Sequence, residues 1–478
     1  MEKLIIGAQK MGSEKNTLAI KAGIWYTICN FLVRAISFIS MPIFTRLMSL
    51  EEYGNYNNFT SWLNIIMVVT TMDLHATINR ARFDFEKEIN DYLSTITVTS
   101  LVIPSGIYLI AICFHDIFQK VLDMDIISIH CMFLSIIFSS AINIFQAKQR
   151  VNYKYRESVL ITFISTFITV GFSLALVYCM NNKYYGRVIG QTIPATLFNA
   201  AIAIYLITCG KKLKWKYVKY AIWICLPYVP HLLSMNILSQ YDRIQIKNYC
   251  GSEDVALYSL AYSCALVMNI FLNSLNNAWS PWMGDMIHEN NIVAIRKDSK
   301  KYILMFLFLT IGALLIAPEL LLFFGGSKYS EALMVMPPVI AGVFFQFIYT
   351  LYVNIEMYEK KVWGVAFATG IAAVLNIILN SIFIPKYGYI AAAFTTLFCY
   401  GVLCMLHYFL VKRIKLDSAY NTFFIIGILL SILMISLSMY FIYKIVIIRL
   451  LLVIIYISVF GGLLFKNKKI IRSFLGKK

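Results

Sequence analysis

Residues 22–44 read AGIWYTICNFLVRAISFISMPIF, and Arg34 carries the only charged side chain in this stretch. An α-helix rises about 1.5 Å per residue, so about 20 apolar residues cross the ~30 Å hydrocarbon core of a bilayer. The stretch is long enough and apolar enough for such a crossing. It therefore predicts a transmembrane helix with a permanent cation near its middle.

The rest of the chain has a similar composition. Of its 478 residues, 60% are hydrophobic, 15% are aromatic and only 14% are charged, which excludes an ordinary water-soluble domain. Windows of about 20 residues with few charges occur fourteen times, at 22–44, 57–77, 92–114, 125–146, 158–179, 186–208, 220–241, 254–279, 302–323, 332–356, 363–384, 388–411, 418–440 and 445–465. The sequence therefore predicts an all-α polytopic membrane protein with about 14 transmembrane helices.

The distribution of Lys and Arg predicts the orientation of these helices. If the N-terminus is cytoplasmic, the inner segments carry 31 of the 42 basic residues and the outer connections carry 10. This excess follows the positive-inside rule and predicts that both termini are cytoplasmic. Topology thus explains the net charge of +18. A nucleic-acid partner is not predicted, because the basic residues are not gathered on one soluble face.

The segments outside the predicted helices are too short for a soluble catalytic domain, and the longest are the N-terminal residues before the first helix and residues 283–301. Within the predicted helices, paired carboxylates and Ser/His/Asp or Cys/His sets do not occur at matching depth. The six histidines do not show the spacing of metal ligands. We therefore expect a transport protein and not an enzyme, with no metal and no cofactor.

A short repeat divides the chain. SLEEYGNY (residues 49–56) follows the first predicted helix, and GSEDVALY (residues 251–258) follows the seventh, 202 residues later. Because six helices separate the copies, both halves enter the membrane in the same sense, and we expect lobes related by an axis along the membrane normal. The predicted division is an N-terminal six-helix lobe (1–210), a C-terminal six-helix lobe (211–417), and helices 13 and 14 with a basic cytoplasmic tail (418–478).

Several stretches resemble one family of transporters. MPIFTRLMSLEEYGNY (residues 41–56) is similar to the outer end of helix 1 in the polysaccharide-export flippases, the O-antigen (Wzx-type) branch of a superfamily that also contains multidrug extrusion proteins and the lipid II flippase. Further stretches resemble later helices of the same family: LPYVPHLLS (226–234), DRIQI (242–246), VALYSLAYSCA (255–265), NAWSPWM (277–283) and NIILNSIFIPKYGYIAAAFTT (376–396). Together these matches extend over most of the chain.

The resemblance implies a flippase of the bacterial inner membrane that moves an undecaprenyl-diphosphate-linked oligosaccharide, of O-antigen or capsule type, to the outer leaflet by alternating access. The implied partners are this lipid-linked substrate, membrane lipids and other polysaccharide assembly proteins. An ion-coupled multidrug exporter of the same fold is one alternative, which would favour carboxylates and aromatic residues over a central cation. A membrane-embedded glycan polymerase or ligase is another alternative. Families of such polymerases and ligases have a long outer loop, and this sequence does not contain one.

Arg34 is the first candidate for contact with this substrate. It lies 13 residues after Lys21 and 12 before Arg46, ~20 Å from either helix end, which is too far for its side chain to reach the interface. A charge at this depth costs roughly 2.5–3.5 kcal/mol. In the functional interpretation, Arg34 lines a water-filled cavity between the lobes and binds the diphosphate through its planar guanidinium. In the structural interpretation, it forms an ion pair or caps a carbonyl inside the bundle.

Four other residues are weaker candidates for substrate binding. Arg46 and Arg243 end the first helix of each lobe on the outer side, where a cation either binds the substrate or serves as a plain interfacial anchor. Asn376 and Asn380 are four residues apart and share one face of predicted helix 11. They either bind sugar hydroxyls or form hydrogen bonds between helices.

Predicted helix 7 contains the candidates for a hinge or gate. Pro227, Pro230 and His231 interrupt this helix near its middle, and proline removes a backbone donor and permits a bend. His231 is either a buried hydrogen-bonding residue or a proton carrier.

Two carboxylates are candidates for binding a coupling ion. Asp73 lies near the inner end of predicted helix 2, and Glu356 lies near the inner end of predicted helix 10. A simple ion pair with Lys360, four residues later, explains Glu356 equally well.

The topology makes a direct prediction for reporter fusions. Fusions after Lys216 and Lys415 should report a cytoplasmic position, and a fusion after Lys328 should report an external one, because the first two follow basic segments. Alkaline phosphatase and fluorescent-protein activities measure the two sides. The reverse pattern would contradict the orientation.

Overall fold

The computed structural model describes residues 32–33, 35–152 and 154–466. Throughout these ranges the chain forms α-helices joined by turns and short 3-10 segments, and it contains no β-strand. This confirms the predicted all-α class. A chain surrounded by lipid satisfies its backbone N–H and C=O groups within helices, because the bilayer core supplies no water to bind them.

The helices fall into two compact units, Met1–Lys247 and Asn248–Lys478. Helices α1 to α10 are Ala35–Leu47, Leu50–Thr71, Ile78–Asp84, Ile89–Cys113, His115–Leu122, Ile126–Val151, Tyr155–Cys179, Lys183–Cys209, Trp215–Cys225 and Val229–Cys250. Helices α11 to α19 are Ser252–Ala265, Met268–His288, Ile292–Leu315, Ala317–Gly325, Met336–Tyr358, Val362–Tyr387, Ile390–Arg413, Thr422–Ile442 and Val446–Lys466. The lobe boundary at residue 210 rests on the sequence repeat alone and stays a prediction.

Each of the fourteen apolar windows overlaps a described helix. Within the described residues, ten helical segments are long and apolar enough to cross a membrane, or eleven if the bent pair α13 and α14 forms one span. These two helices meet at 55°. Helix α2 is not among the ten, and its first half contains Glu51 and Glu52 beside several asparagines. The structure therefore agrees with the predicted polytopic architecture.

The beginning of α9 is held against α4 by a small charged cluster. Glu88, which precedes α4, accepts hydrogen bonds from Lys214 Nζ (2.6 Å), Lys216 Nζ (2.9 Å) and the hydroxyl of Tyr217. The hydrogen bond to Glu88 raises the pKa of Lys214. The buried ring of Tyr217 packs edge-on against that of Tyr92, with centroids 5.5 Å apart. Helix α9 thus belongs to the first unit, where ion pairs and aromatic contacts hold it against α4.

Helices α7 and α8 approach each other closely because glycines line α8. A Cβ atom built on Gly186 would lie 2.9 Å from the carbonyl oxygen of Leu176, and one on Gly190 would lie 2.5 Å from Cα of Ser173. The two glycines are four residues apart and therefore lie on one face of α8. Small residues at this spacing let helix backbones pack tightly in a membrane, where association depends on van der Waals contact.

Helix α15 is the central helix of the second unit. Its span, Ser327–Tyr358, has 83% of its apolar window buried, whereas the peripheral span Arg156–Cys179 in the first unit has 6%. Helices α11, α12, α13, α16, α17 and α18 all pack against α15. A helix that is apolar on all sides and surrounded by other helices is typical of the centre of a bundle.

Helices α18 and α19 pack on the second unit through polar groups as well as apolar ones. The hydroxyl groups of Tyr440 and Tyr443 donate to the carbonyl oxygens of Met334 and Leu314, each at 2.6 Å. On α19, Arg449 forms an ion pair with Glu319 of α14, and the distance from Arg449 NH1 to Glu319 Oε2 is 2.6 Å. These two helices, predicted as an additional pair, are thus held to α13, α14 and α15.

We predict that Gly190→Ala destabilises the first unit. The new methyl group would push α7 from α8, and overpacking of this kind costs ~1–3 kcal/mol. Thermal unfolding of the detergent-purified protein measures the change. Gly171→Ala on α7 is the matched control, because nothing lies within 4 Å of a Cβ there. If the two variants were equally stable, close α7–α8 packing would not contribute to stability.

Candidate functional site

Arg34, the first substrate-binding candidate, lies outside the described residues. The structure therefore leaves both interpretations of this residue as predictions. Arg46 lies near the end of α1 and is exposed. Its substrate role also stays a prediction.

Arg243 of α10 is buried, with 6% of its surface exposed. Its NH1 donates to the carbonyl oxygen of Ser239 at 2.7 Å and lies 3.4 Å from Oε1 of Gln240. The same Oε1 accepts from the hydroxyl of Ser61 on α2 at 3.5 Å. A buried guanidinium with these partners is not a plain interfacial anchor, because an anchor keeps its charged end in water.

The predicted interruption of helix 7 is present in the structure. Pro227 lies in the 3-10 segment Leu226–Tyr228 between α9 and α10, and Pro230 lies in the first turn of α10. Proline lacks the N–H group that would continue the α-helical ladder, which explains the change of helix type here. His231 is half-buried. A hinge or gating role for the three residues stays a prediction.

Asn376 and Asn380 lie at the contact between α16 and α17, with no exposed surface. Asn376 Nδ2 donates to Thr396 Oγ1 at 3.0 Å, and Asn380 Nδ2 donates to Asn376 Oδ1 at 3.2 Å. The hydroxyl of Thr395 donates to Asn380 Oδ1. These contacts fit the interhelical alternative raised from the sequence. In this arrangement the two amides are not accessible to a sugar, so their substrate role is only a prediction.

Asp73 lies in the turn that ends α2, where its φ of 50° is in the left-handed region. Its carboxylate is 41% exposed and lies 3.6 Å from Nδ1 of His75. Asp73 and His75 are thus a half-buried pair at the predicted inner surface, and ion coupling through Asp73 stays a prediction.

Glu356 forms a pair that the sequence analysis did not predict. Its Oε1 lies 2.8 Å from Nδ1 of His407 on α17, and both side chains have no exposed surface. The alternative pair with Lys360 does not form, because α15 ends at Tyr358 and Lys360 has a left-handed φ of 58°. Lys360 is therefore not on the helical face that four-residue spacing assumes.

Two ionisable residues were not among the candidates drawn from the sequence. His407 lies six residues before the end of α17, inside an apolar window, and an ionisable residue there is itself a sign of function. Arg187 of α8 stacks on aromatic rings, with its guanidinium carbon 3.5 Å from the ring centroid of Phe44 and 4.7 Å from that of Tyr56. Neither residue stands in a motif. The only signal in the sequence was that each lies inside a predicted transmembrane helix.

The described residues contain no group of three or more His, Cys, Asp or Glu side chains that could hold a metal ion. Glu356 with His407 and Asp73 with His75 are pairs of ionisable groups and not metal-ligand clusters. The chemistry available to these pairs is proton binding and the recognition of charged or polar groups.

Two family models match the chain. The model described as polysaccharide biosynthesis protein matches residues 19–287, and the MatE model matches residues 227–382. The chain is 23% identical to Lsg locus putative protein 1 of Haemophilus influenzae over 326 residues, which are 65% of this chain and 77% of that protein.

Solved structures of transporters share this fold. The lipid II flippase MurJ in an inward closed conformation is 16% identical, with a TM-score of 0.68 over 94% of this chain and 100% of that one. An inward-facing multidrug resistance MATE family transporter of the MOP superfamily is 13% identical, with a TM-score of 0.63 over 83% of this chain and 98% of that one. At these identities the likeness shows the fold alone.

We predict that Asn380→Ala lowers the stability of the α16–α17 contact. The change removes two hydrogen bonds between buried side chains, and such bonds contribute on average ~0.6 kcal/mol each in a membrane protein. We expect a loss of about 1 kcal/mol in unfolding by denaturing detergent. Ser381→Ala, at an exposed neighbouring position, is the control and should change little. Equal stability of both variants would contradict a structural role for Asn380.

Proposed function

The chain belongs to the polysaccharide biosynthesis protein family, among the polysaccharide flippases of the MOP superfamily, and from this we propose that it moves lipid-linked oligosaccharides across a membrane. The substrate we propose is an undecaprenyl-diphosphate-linked repeat unit of O-antigen or capsule type. The membrane is the bacterial inner membrane, with both termini in the cytoplasm. The protein itself catalyses no covalent step.

The match to residues 19–287 is the observation that carries this proposal. It covers more than half of the chain and includes Arg34, Arg46 and Arg243, the three cations proposed to meet the diphosphate. The MatE match covers a shorter segment, residues 227–382. The longer match favours a polysaccharide flippase over a multidrug exporter.

The chemistry of the substrate explains the need for cations. A diphosphate cannot enter an apolar bundle uncompensated, because the transfer of an unpaired charge out of water is expensive. A guanidinium is always charged and donates two parallel hydrogen bonds to phosphate oxygens. We propose that Arg34 does this near the middle of the membrane. Arg243 is buried and holds Ser239 and Gln240, so it would contribute its charge from a fixed position.

The proposed transport follows alternating access. The sugar and diphosphate move through a polar cavity that opens first to the cytoplasm and then to the outside, while the polyprenyl tail stays in lipid. The two predicted six-helix lobes would provide this change, with bending at Pro227 and Pro230. Other polysaccharide assembly proteins would then receive the unit on the outer side.

A deletion strain tests the proposed function. Without the protein, the complete lipid-linked repeat unit should accumulate in the cytoplasmic leaflet, where a membrane-impermeant glycosidase cannot reach it in spheroplasts. A glycan polymerase or ligase would instead leave finished units accessible on the outer leaflet. Accessible units in the deletion strain would therefore contradict a flippase.

Complementation of this strain with Arg34 variants tests the cation. Arg34→Ala should reduce export per folded molecule at least about tenfold, because a charge-assisted contact of ~1.5–3 kcal/mol is lost. Arg34→Lys should retain part of the activity, since it keeps the charge and loses the planar fork. Arg80→Ala is the matched control, because that side chain is 75% exposed at the predicted inner surface. If Arg34→Ala instead lowers only the amount of folded protein, Arg34 is half of a structural pair.

A further inference from the structure

Within the part of the chain that the structure describes, the buried pair of Glu356 and His407 leaves one polar atom of each partner without a hydrogen bond. Oε1 and Nδ1 are 2.8 Å apart, whereas Oε2 of Glu356 and Nε2 of His407 are buried and have no partner among these residues. Almost all buried polar side-chain atoms in proteins have a hydrogen-bond partner, so such exceptions require an explanation. A structural ion pair would gain nothing from the two unpaired atoms, because their desolvation is not compensated.

A cavity reaches the pair from one side. Its volume is about 620 Å³, and its wall includes Glu356, Gly364 and several charged residues. Gly364 of α16 lies beside the carboxylate, because a Cβ atom there would be 3.8 Å from Oε2. The cavity lies at the ends of α15 and α17 that are predicted to face the cytoplasm. The cavity therefore places water and small ions next to the Glu356 side chain, whose Oε2 is itself buried.

The charged side chains nearest to the pair lie on the cavity side, and most of them are cations. Lys360, Lys361 and Arg413 line the cavity, together with one further carboxylate, Glu359. The neighbouring titratable groups on α15 and α17 are neutral ones: the ring of Tyr349 stacks on that of His407 at 5.6 Å, and the thiol of Cys404 donates to a carbonyl oxygen.

The other helices that pack on α15 place no charge against the pair. Asp285 and His288 of α12 and Arg296, Lys297 and Lys300 of α13 are exposed, and Asp298 and Lys301 of α13 pair with each other at 2.9 Å. The acidic pair Glu253 and Asp254 begins α11, and α18 contains no acidic, basic or histidine residue. Helix α16 contributes Gly364, which carries no titratable group.

From this geometry we propose that Glu356 and His407 form a single proton-binding site, and that the proton is the coupling ion of transport. With one proton, the pair is a carboxylate and an imidazolium, or the equivalent neutral pair, with no net charge. Release of the proton leaves a carboxylate and a neutral imidazole, with a net charge of −1. The proton leaves as H⁺ through the cavity, so the step requires no other reactant.

Access to the cavity would set which state is favoured. When water and the three cations reach Oε2, they stabilise the deprotonated carboxylate. When the cavity closes, the negative charge has no counter-ion and a proton must be bound before the change of state. A site whose proton occupancy depends on conformation can couple a pH gradient to alternating access. This coupling rests on the proposed transport function, whereas the proton site itself does not.

Reconstituted full-length protein tests the coupling. In vesicles with a fluorescent undecaprenyl-diphosphate oligosaccharide, a pH gradient should shift the final distribution between leaflets about tenfold per pH unit for one proton per cycle, because one unit of pH is a tenfold difference in proton activity. Reversing the gradient should reverse the shift. Glu356→Gln and His407→Gln preserve size and hydrogen bonding but should abolish the shift while flipping to equilibrium continues. Glu289→Gln and His288→Gln change exposed residues at the same side and should respond like the parent.

A gradient response retained in Glu356→Gln would overturn the proposal. So would a parent protein that responds to a sodium gradient and not to pH.

A second measurement examines the proton site without transport. Dicyclohexylcarbodiimide reacts with protonated carboxyl groups in apolar surroundings, and mass spectrometry of the peptide locates the adduct. Labelling of Glu356 should fall as the pH rises, and in His407→Gln it should persist to more alkaline pH, because the imidazolium no longer stabilises the carboxylate. Labelling that is independent of pH, or unchanged by His407→Gln, would overturn the site. If the labelling behaves as expected and the parent moves no lipid-linked oligosaccharide, the proposed function fails and the proton site stands.

Discussion

The pairing of polar groups inside an apolar bundle is the constraint on which this structure depends. Lipid offers no hydrogen bonds, so each backbone group must find its partner within a helix and each buried polar side chain must find one nearby. Thr97 and Thr310 return their hydroxyl hydrogens to carbonyl oxygens one turn earlier. Tyr443 instead reaches across to the carbonyl oxygen of Leu314, which binds one helix to the next. The need to pair polar groups therefore explains both why the chain is helical and how particular helices contact one another.

Atoms that fail this requirement mark the places where packing alone does not explain the structure. Oε2 of Glu356 and Nε2 of His407 are buried and have no partner among the described residues, and Glu356 also lines a cavity together with three cationic residues. The network of Asn376, Asn380 and their threonines is the opposite case, since its polar atoms bind one another across a helix contact. Both sets are buried polar clusters on neighbouring helices. Only the first has unfilled hydrogen-bonding capacity and a route for a small ion, which is why it suggests transport chemistry.

The fold is shared by proteins that transport different molecules. This chain resembles both a lipid II flippase and a multidrug transporter in architecture, at identities of 16% and 13%. A helical bundle can alternate its access for many substrates, so the fold does not decide the cargo. The cargo is decided by charges and donors within the bundle. In the proposed function, a buried guanidinium such as that of Arg243 would favour an anionic substrate group, whereas a bundle without internal cations would favour a cationic drug.

The sequence by itself determined the class of the protein, because helix formation in lipid depends only on local composition. Fourteen apolar windows each overlap a described helix, and the Pro227 interruption appears as a 3-10 segment where the missing N–H required a break. The family also followed from short local stretches. Tertiary structure alone decided which polar residues meet, since His407 joins Glu356 from 51 positions away while Lys360, four positions away, does not. Sequence spacing gives the face of one helix, but contact between two helices depends on their packing, and here small residues such as Gly364 and Gly190 determine where the helices come close.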